Sequence, residues 1–201
     1  MKTFNQKKLF TTNEYKITES KLYYNISKFG DSNEIGIPYE DLDGEKVSLK
    51  SSNGFSLAIS ITLYLVAIMT HFDSYSHEEN RSPNFAFIWF ILGTIMLIIY
   101  FFSRKDLWKL KLSNSSFILI HKNIPDEEST NMFISNLFET RNNYLRDNYA
   151  VIDENLSYES QLTNFRWLKS INAISKGEFE EKYTELKRTV KPDKTNIGFG
   201  K

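Results

Sequence analysis

Acidic clusters and histidines are the residues of this chain whose types could do chemistry, and neither set is arranged as a catalytic site. The 201-residue chain has no cysteine and three histidines, His71, His77 and His121, which lie in segments predicted to have different surroundings. Acidic residues within 126–128 and 178–181 begin predicted helices, where they stabilise the positive end of the helix dipole. No glycine-rich phosphate loop is present. The sequence therefore predicts no enzyme, no catalytic residue, no cofactor and no metal.

Two apolar runs in the centre of the chain are the elements about which the rest is arranged. Residues 55–72 and 85–102 are each 18 residues long and contain no Asp, Glu, Lys or Arg. At a helical rise of about 1.5 Å per residue, each spans about 27 Å, close to the thickness of a bilayer's hydrocarbon core. The second run is apolar on all sides, whereas a core helix of a soluble protein keeps a polar stripe. We therefore predict a transmembrane helical hairpin.

Polar groups inside the two runs are few. Ser56 and Ser60 are spaced to let two helices approach closely. Hydroxyls in membrane helices usually bond their own backbone, so this spacing is only a weak indication of a helix–helix contact. No ionisable group lies at mid-depth, where a transporter or pump carries one. The hairpin is typical of an anchor.

The charges that flank the hairpin predict its orientation. Lys46 and Lys50 precede the first run, and basic residues follow the second. The charged residues of the connecting loop 73–84 are mainly acidic. The positive-inside rule then places both termini in the cytoplasm and the loop outside, with two spans in the cell (inner) membrane.

Three lysines lie beside a tryptophan next to the second run: Lys105, Lys109 and Lys111 with Trp108. At the inner surface of a membrane, each lysine gains about 1 kcal/mol from anionic lipid headgroups. These four residues are the predicted membrane-interface contacts.

Alternation with a period of two predicts strands on both sides of the hairpin. Apolar residues alternate with polar ones at Leu22, Tyr24 and Ile26, at Ile35, Ile37 and Tyr39, at Val47 and Leu49, and again at Trp108, Leu110 and Leu112. A further strand is predicted at 116–122, and turns at 29–33 and 41–44. Strands leaving the two ends of one helical hairpin are expected to lie in one antiparallel sheet.

A helix is predicted from 126 to 149, with an apolar stripe that includes Phe133, Leu137, Leu145 and Tyr149. Strands closed by one amphipathic helix resemble the PH-like domains of bacteria. The resemblance also rests on the segments 37–42, 133–138 and 144–149, and it implies an antiparallel sheet with a C-terminal capping helix. Phosphoinositide-binding members of that family cluster basic residues around the first hairpin turn. Here we place that turn at 18–21, where charges are mixed, so headgroup binding is not carried over.

Two short helices are predicted after a polar linker, at 158–171 and 176–190. Ser175 and Glu178 have the spacing of a capping box. The pair resembles the short C-terminal domain called SHOCT, with Asn172 in place of the usual turn glycine, since asparagine tolerates the left-handed conformation. The resemblance implies association with other subunits or partners. Candidate partner-binding residues are Leu162, Phe165, Trp167, Leu168, Phe179, Tyr183 and Leu186.

The predicted fold is therefore an α+β membrane protein, a PH-like domain split by a transmembrane hairpin. Its expected parts are a loose N-terminal arm (1–12), the first PH-like part (13–52), the hairpin (53–103), the second PH-like part (104–149), a linker (150–157), the SHOCT-like pair (158–190) and a disordered tail (191–201).

The leading functional hypothesis is a non-enzymatic membrane-anchored scaffold or oligomerisation protein. Its expected partners are membrane lipid and either further copies of the chain or a larger membrane protein, with no nucleic acid and no small-molecule substrate. A short helical pair buries too little surface to be stable alone, so its apolar face is expected to need a partner. One alternative is a sensor of anionic lipid at the inner membrane surface. Another is an accessory subunit of a membrane transport complex.

Overall fold

The fold is mixed α+β, and the computed structural model describes residues 2–76 and 85–190, with side chains for 2–72 and 85–190. The strands are β1 (Lys2–Lys8), β2 (Thr11–Ile17), β3 (Lys21–Lys28), β4 (Asp31–Pro38), β5 (Leu42–Ser51), β6 (Lys105–Leu112) and β7 (Phe117–His121). The helices are α1 (Gly54–Ser76), α2 (Phe85–Ser103), α3 (Glu127–Tyr149), α4 (Tyr158–Ser170) and α5 (Lys176–Thr189). The predicted strands from residue 21 onward and all five predicted helices are confirmed.

The strands form two sheets, one in the order β1-β2-β3-β4 and the other in the order β5-β6-β7. The first is an antiparallel meander in which Gln6 pairs with Asn13, Tyr15 with Tyr24, and Leu22 with Ile37. In the second sheet β5 and β6 are neighbours, as expected for strands that leave the two ends of one hairpin. The prediction of a single sheet from all strands is wrong, because the chain turns through Tyr39–Asp41 between β4 and β5 and starts a second layer there.

The N-terminal segment is the main correction to the predicted fold. Residues 1–12 were expected to be a loose arm, but Lys2–Lys8 is a strand paired along its whole length with β2. Its buried residue is Gln6, whose Nε2 donates to the His121 carbonyl at 2.7 Å and whose Oε1 accepts from the His121 N–H at 2.8 Å. A polar residue on the inner face gives no hydropathy signal, and its bonds to the end of β7 explain why the segment is ordered.

The turns of the meander also differ from expectation. The first hairpin turn is Leu9–Phe10, and the turn at 18–21 is the second. Phe29 and Gly30 form a two-residue turn between β3 and β4, shorter than the predicted 29–33, and both have positive φ (50° and 98°). Positive φ at both central residues is the geometry that suits the twist of a hairpin.

The main hydrophobic core lies among the two sheets and α3. Its buried residues come from six of the strands, the Tyr39 turn and the helix: Tyr15, Ile17, Leu22, Ile37, Tyr39, Leu42, Leu110, Leu112, Ile118, Ile120, Phe133, Ile134 and Leu137. Helix α3 begins after Asp126, whose side chain accepts from the N–H of Ser129. That bond satisfies one free N–H at the start of the helix and fixes where α3 begins.

The chain divides into two compact units, one made of Met1–Ser48 with Trp108–Lys201 and the other of Leu49–Leu107. The second unit is dominated by α1 and α2, which pack against each other through small residues. Ser60 Oγ donates to the Gly93 carbonyl at 2.9 Å, and the hydroxyls of Tyr64 and Thr94 are 3.0 Å apart. The low weight given to Ser56 and Ser60 was wrong, because both are buried and the Ser60 hydroxyl bonds across the pair.

Both helices of this unit are long and apolar enough to cross a membrane. The segments Gly54–Phe72 and Phe85–Ser103 are 19 residues each, with mean hydropathies of 1.8 and 2.5. Only 17% and 6% of them are buried, which differs from the core helices of a soluble protein. Most of loop 73–84 and the tail 191–201 lie outside the described residues.

Candidate functional site

The four predicted membrane-interface residues have different contacts. Lys109 Nζ lies 4.9 Å from the centre of the Phe117 ring, and Lys111 Nζ pairs with Asp43 Oδ2 at 3.1 Å. Lys105 is exposed at the start of β6. Two of the three lysines therefore have partners within the chain.

Trp108 is half-buried and its ring is in contact with cations of the same unit. The amines of Lys46 and Lys122 lie 4.4 and 4.3 Å from the ring centre. Lys122 is buried and also donates to Ser48 Oγ at 2.6 Å. This lysine–tryptophan–lysine arrangement spans the second sheet and was not predicted, because the three residues are far apart in sequence.

Four of the predicted partner-binding residues are buried inside the chain. Leu162, Phe165, Leu168 and Leu186 form a second core with residues of α3 and the segment after it, including Leu145 and Ala150. The expectation that the helical pair needs an external partner to cover its apolar face is wrong, because α3 covers it. The pair is also part of the same compact unit as the strands.

The other three candidates, Trp167, Phe179 and Tyr183, are partly buried and lie around this second core. Trp167 packs edge-on against Tyr149 at 5.1 Å, and the rings of Phe179 and Tyr183 stack at 6.1 Å. Lys169 lies over Phe179 at 4.7 Å and Lys187 over Tyr183 at 4.1 Å. These aromatic rings are the part of the predicted surface that remains accessible.

One backbone carbonyl in the turn of the helical pair bonds to both β5 and α3. The Ile171 oxygen accepts from the Gly44 N–H and from Arg141 Nη2, both at 3.1 Å. Asn172, at φ 58° as predicted for the turn, donates to Glu45 Oε1 at 3.3 Å. We call these residues, Gly44, Glu45, Arg141, Ile171 and Asn172, the Ile171 junction.

Arg141 is the residue of the junction that sequence reasoning missed. It is fully buried in α3, four residues after Leu137 and four before Leu145, so it continues the apolar stripe of the helix. Burial lowers the pKa of its guanidinium to about 10, and the nearby charge of Asp43 opposes that shift. The group therefore stays charged at neutral pH. The spacing of Arg141 within the apolar stripe was the only sequence signal that its side chain would be buried. Its charge pointed instead to the solvent side.

Two segments on which the PH-like resemblance rests, 37–42 and 144–149, contact each other. The hydroxyls of Tyr144 and Tyr149 both donate to Glu40 Oε1, at 3.2 and 2.9 Å. Hydrogen bonding to Glu40 is the main cause that raises the pKa of Tyr149, while burial is the main cause for Tyr144. These bonds hold the turn after β4 against α3.

The junction and the tyrosine pair both join α3 to segments that lie far from it in sequence. Within residues 2–76 and 85–190, no group of three or more His, Asp or Glu side chains could hold a metal ion. Comparison of the chain with protein-family models, with curated proteins and with solved structures finds no match.

Proposed function

We propose that the chain is a non-enzymatic scaffold held in a membrane by the α1–α2 hairpin, with a cytoplasmic domain assembled from the segments on either side. The observation that carries this proposal is an insertion: β5 leads into α1, α2 leads into β6, and β5 and β6 are neighbours in one sheet. A folded domain that is interrupted in sequence by two apolar helices suits a two-span anchor.

The exposed surface of the hairpin supports the anchor. Large apolar side chains of α1 and α2 are about half exposed or more, and they include Phe55, Ile61, Leu65, Ile68, Met69, Phe72, Phe85, Phe87, Phe90, Phe101 and Phe102. In water so many exposed apolar residues would favour aggregation, whereas in lipid they need no cover.

The cytoplasmic domain is proposed to be PH-like. The strands followed by a single long helix against the core support this proposal, although the strands form two sheets and not the single sheet that the resemblance implied. The SHOCT-like interpretation of the last two helices is supported by the capping box, in which Glu178 N donates to Ser175 Oγ at 3.1 Å and Ser175 N to Glu178 Oε2 at 2.6 Å.

The partner surface in this proposal is the aromatic group Trp167, Phe179 and Tyr183, since the leucines of the pair are used internally. Removing the pair would expose the second core and unfold the domain, so point variants make the cleaner test. We expect Trp167→Ala with Phe179→Ala to lower the oligomeric mass in mild detergent or to abolish co-purification of a larger membrane protein. Leu156→Ala, at a 50% exposed apolar residue elsewhere in the unit, is the control. Unchanged mass and partners in a folded double variant would refute the scaffold.

The anchor and its orientation can be tested directly because the chain has no cysteine. Single cysteines are introduced at Ser82, between the helices, and at Ser160, exposed in α4, and both are treated with a membrane-impermeant maleimide. We expect labelling at position 82 in intact cells and at position 160 only after permeabilisation. Release of the protein by alkaline carbonate would refute the anchor, and the opposite labelling would refute the orientation.

A further inference from the structure

The first and third hairpin turns of the meander form an exposed apolar tip. Thr11 pairs with Lys28, so the turn Leu9–Phe10 lies beside the turn Phe29–Gly30. The rings of Phe10 and Phe29 stack with their centres 5.2 Å apart. Leu9, Phe10 and Phe29 are 58%, 70% and 80% exposed. We call these three residues the tip.

The backbone of the tip makes its composition unusual. Turns normally carry Gly, Asn, Asp, Pro or Ser, each for a conformational reason. Leu9 and Phe29 instead adopt positive φ, 53° and 50°, in a region that bulky residues rarely occupy. Large apolar side chains are thus held in water, in backbone conformations that favour other residues. Neither folding nor solubility accounts for this choice, whereas binding to an apolar phase does.

The charges around the tip indicate what that phase is. Among the residues within two positions of the two turns, Lys7, Lys8 and Lys28 are basic and Asp31 is acidic. Aromatic and aliphatic side chains surrounded by lysines suit the boundary between anionic headgroups and acyl chains.

Two hydrogen bonds connect the strand that leads to the tip with the end of the segment that continues into α1. Gln6 in β1 bonds to His121 at the end of β7, and the next residue, Lys122, bonds to Ser48. Only residues 49–53 separate Ser48 from the start of α1 at Gly54. The tip is therefore on the part of its unit from which the chain continues into the hairpin.

We propose that the tip inserts Leu9, Phe10 and Phe29 into the anionic leaflet of the membrane that holds the α1–α2 hairpin. This inference rests on the proposed anchor and adds a second, reversible contact with the same bilayer. Lys7 and Lys28 contribute the dependence on lipid charge, and the apolar residues contribute the insertion.

The test uses the full chain in lipid nanodiscs. An environment-sensitive fluorophore is attached at Ser32→Cys, on β4 close to the tip, or at Ser160→Cys as the control position. The discs contain phosphatidylcholine with or without phosphatidylglycerol, and their acyl chains are brominated to quench nearby probes. We expect a blue shift and quenching at position 32 that increase with phosphatidylglycerol and weaken with salt, and less of both at position 160.

Two variants separate the contribution of the apolar residues from that of the lysines. The combined changes Leu9→Ser, Phe10→Ser and Phe29→Ser are expected to abolish the quenching at position 32, since each lost apolar side chain weakens insertion about tenfold. Lys7→Gln with Lys28→Gln is expected to remove the dependence on phosphatidylglycerol. Because the tip is exposed, unchanged thermal stability of both variants is the check that they fold.

Equal quenching at positions 32 and 160, or quenching that survives the triple serine change, would overturn the proposal. So would a blue shift that appears only when a co-purified protein is added, since the tip would then be a protein-binding surface. Every sample is first shown to co-elute with its nanodisc. Failure of the anchor is therefore seen separately, as a loss of co-elution.

Discussion

Arg141 Nη2 donates a hydrogen bond to the carbonyl oxygen of Ile171 at 3.1 Å, and the arginine is completely buried. The bond joins α3 to the turn between the last two helices. Because the same oxygen also accepts from the Gly44 N–H, helix, turn and strand meet at a single atom. The C-terminal helices are thereby fixed to the domain that precedes them.

Arg141→Met tests this bond. Methionine keeps much of the volume but leaves the Ile171 oxygen with one donor, and the loss of a charged hydrogen bond is expected to cost about 1–2 kcal/mol of unfolding free energy. Urea unfolding in detergent, followed by tryptophan fluorescence, measures the change. Arg166→Met, at an exposed arginine of α4, is the control. Equal midpoints for the two variants would contradict a stabilising role for Arg141.

Gly44→Ala tests the close approach at the junction. A Cβ at this position would lie 2.7 Å from the Ile171 oxygen and 3.0 Å from the Asn172 Cβ, so the turn would have to move. We expect a loss of about 1–3 kcal/mol, as for other overpacked sites. Gly177→Ala is the matched control, since its nearest neighbour would be 3.9 Å away. The control is expected to gain up to about 1 kcal/mol from helix propensity. A stable Gly44→Ala protein would show that the turn adapts.

Ser60→Ala tests the contact between α1 and α2. The lost hydroxyl bonds the Gly93 carbonyl across the pair, and such bonds in membrane helices contribute about 0.6 kcal/mol on average. Thr62→Val is the control, because the Thr62 hydroxyl bonds only the Ala58 carbonyl of its own helix. Unfolding by SDS in mixed micelles is expected to need less SDS for Ser60→Ala than for Thr62→Val. The reverse order would mean that the helices are held by other contacts.

Glu178→Gln tests the capping box through its pH dependence. Hydrogen bonds from Ser175, with a smaller contribution from Arg146, lower the pKa of Glu178 from its ordinary 4.5. A lowered folded-state pKa means that the carboxylate stabilises the fold above pH 4.5 and that this stability is lost as the pH falls through the folded-state pKa. We therefore expect Glu178→Gln to be less stable at pH 7 by about 0.5–1 kcal/mol, with the difference shrinking below pH 4.5.

Melting temperatures at several pH values measure this effect. Glu180→Gln removes the same charge from the same helix without touching the capping bonds, so it should leave the pH profile unchanged. A constant difference between Glu178→Gln and the unmodified chain at all pH values would show that the carboxylate charge is not the cause.

Strands with alternating apolar residues were predictable, and those with polar inner faces were not. Leu22 and Ile37 alternate with polar neighbours, which marked β3 and β4. In β1 the inner positions include Gln6, whose role depends on the distant backbone of His121. The short turn Phe29–Gly30 was hidden because phenylalanine is not a usual turn residue. Long-range hydrogen bonds and strained turns have no local signature.

In the candidate site, too, local features were predictable and long-range contacts were not. The helices α4 and α5, the capping box and the left-handed Asn172 follow from local spacing and were all predicted. Phe165 and Leu168 are covered by the end of α3, and the place where that helix ends decides which surface covers them. Nothing in the sequence around Leu145 indicated that this residue belongs to the second core. Arg141 was overlooked because a charge within an apolar stripe is normally assigned to the solvent side.

The position of α1 and α2 between β5 and β6 has a consequence for biosynthesis. A ribosome makes the four-stranded meander and β5 first, then both apolar helices, and only afterwards β6, β7 and α3. The inner face of the meander, including Tyr15 and Leu22, therefore cannot contact Phe133, Ile134 and Leu137 until the hairpin has been made. Nascent chains halted before residue 133 should be substrates for chaperones and proteases, and the domain can mature only after both helices of the hairpin have been made.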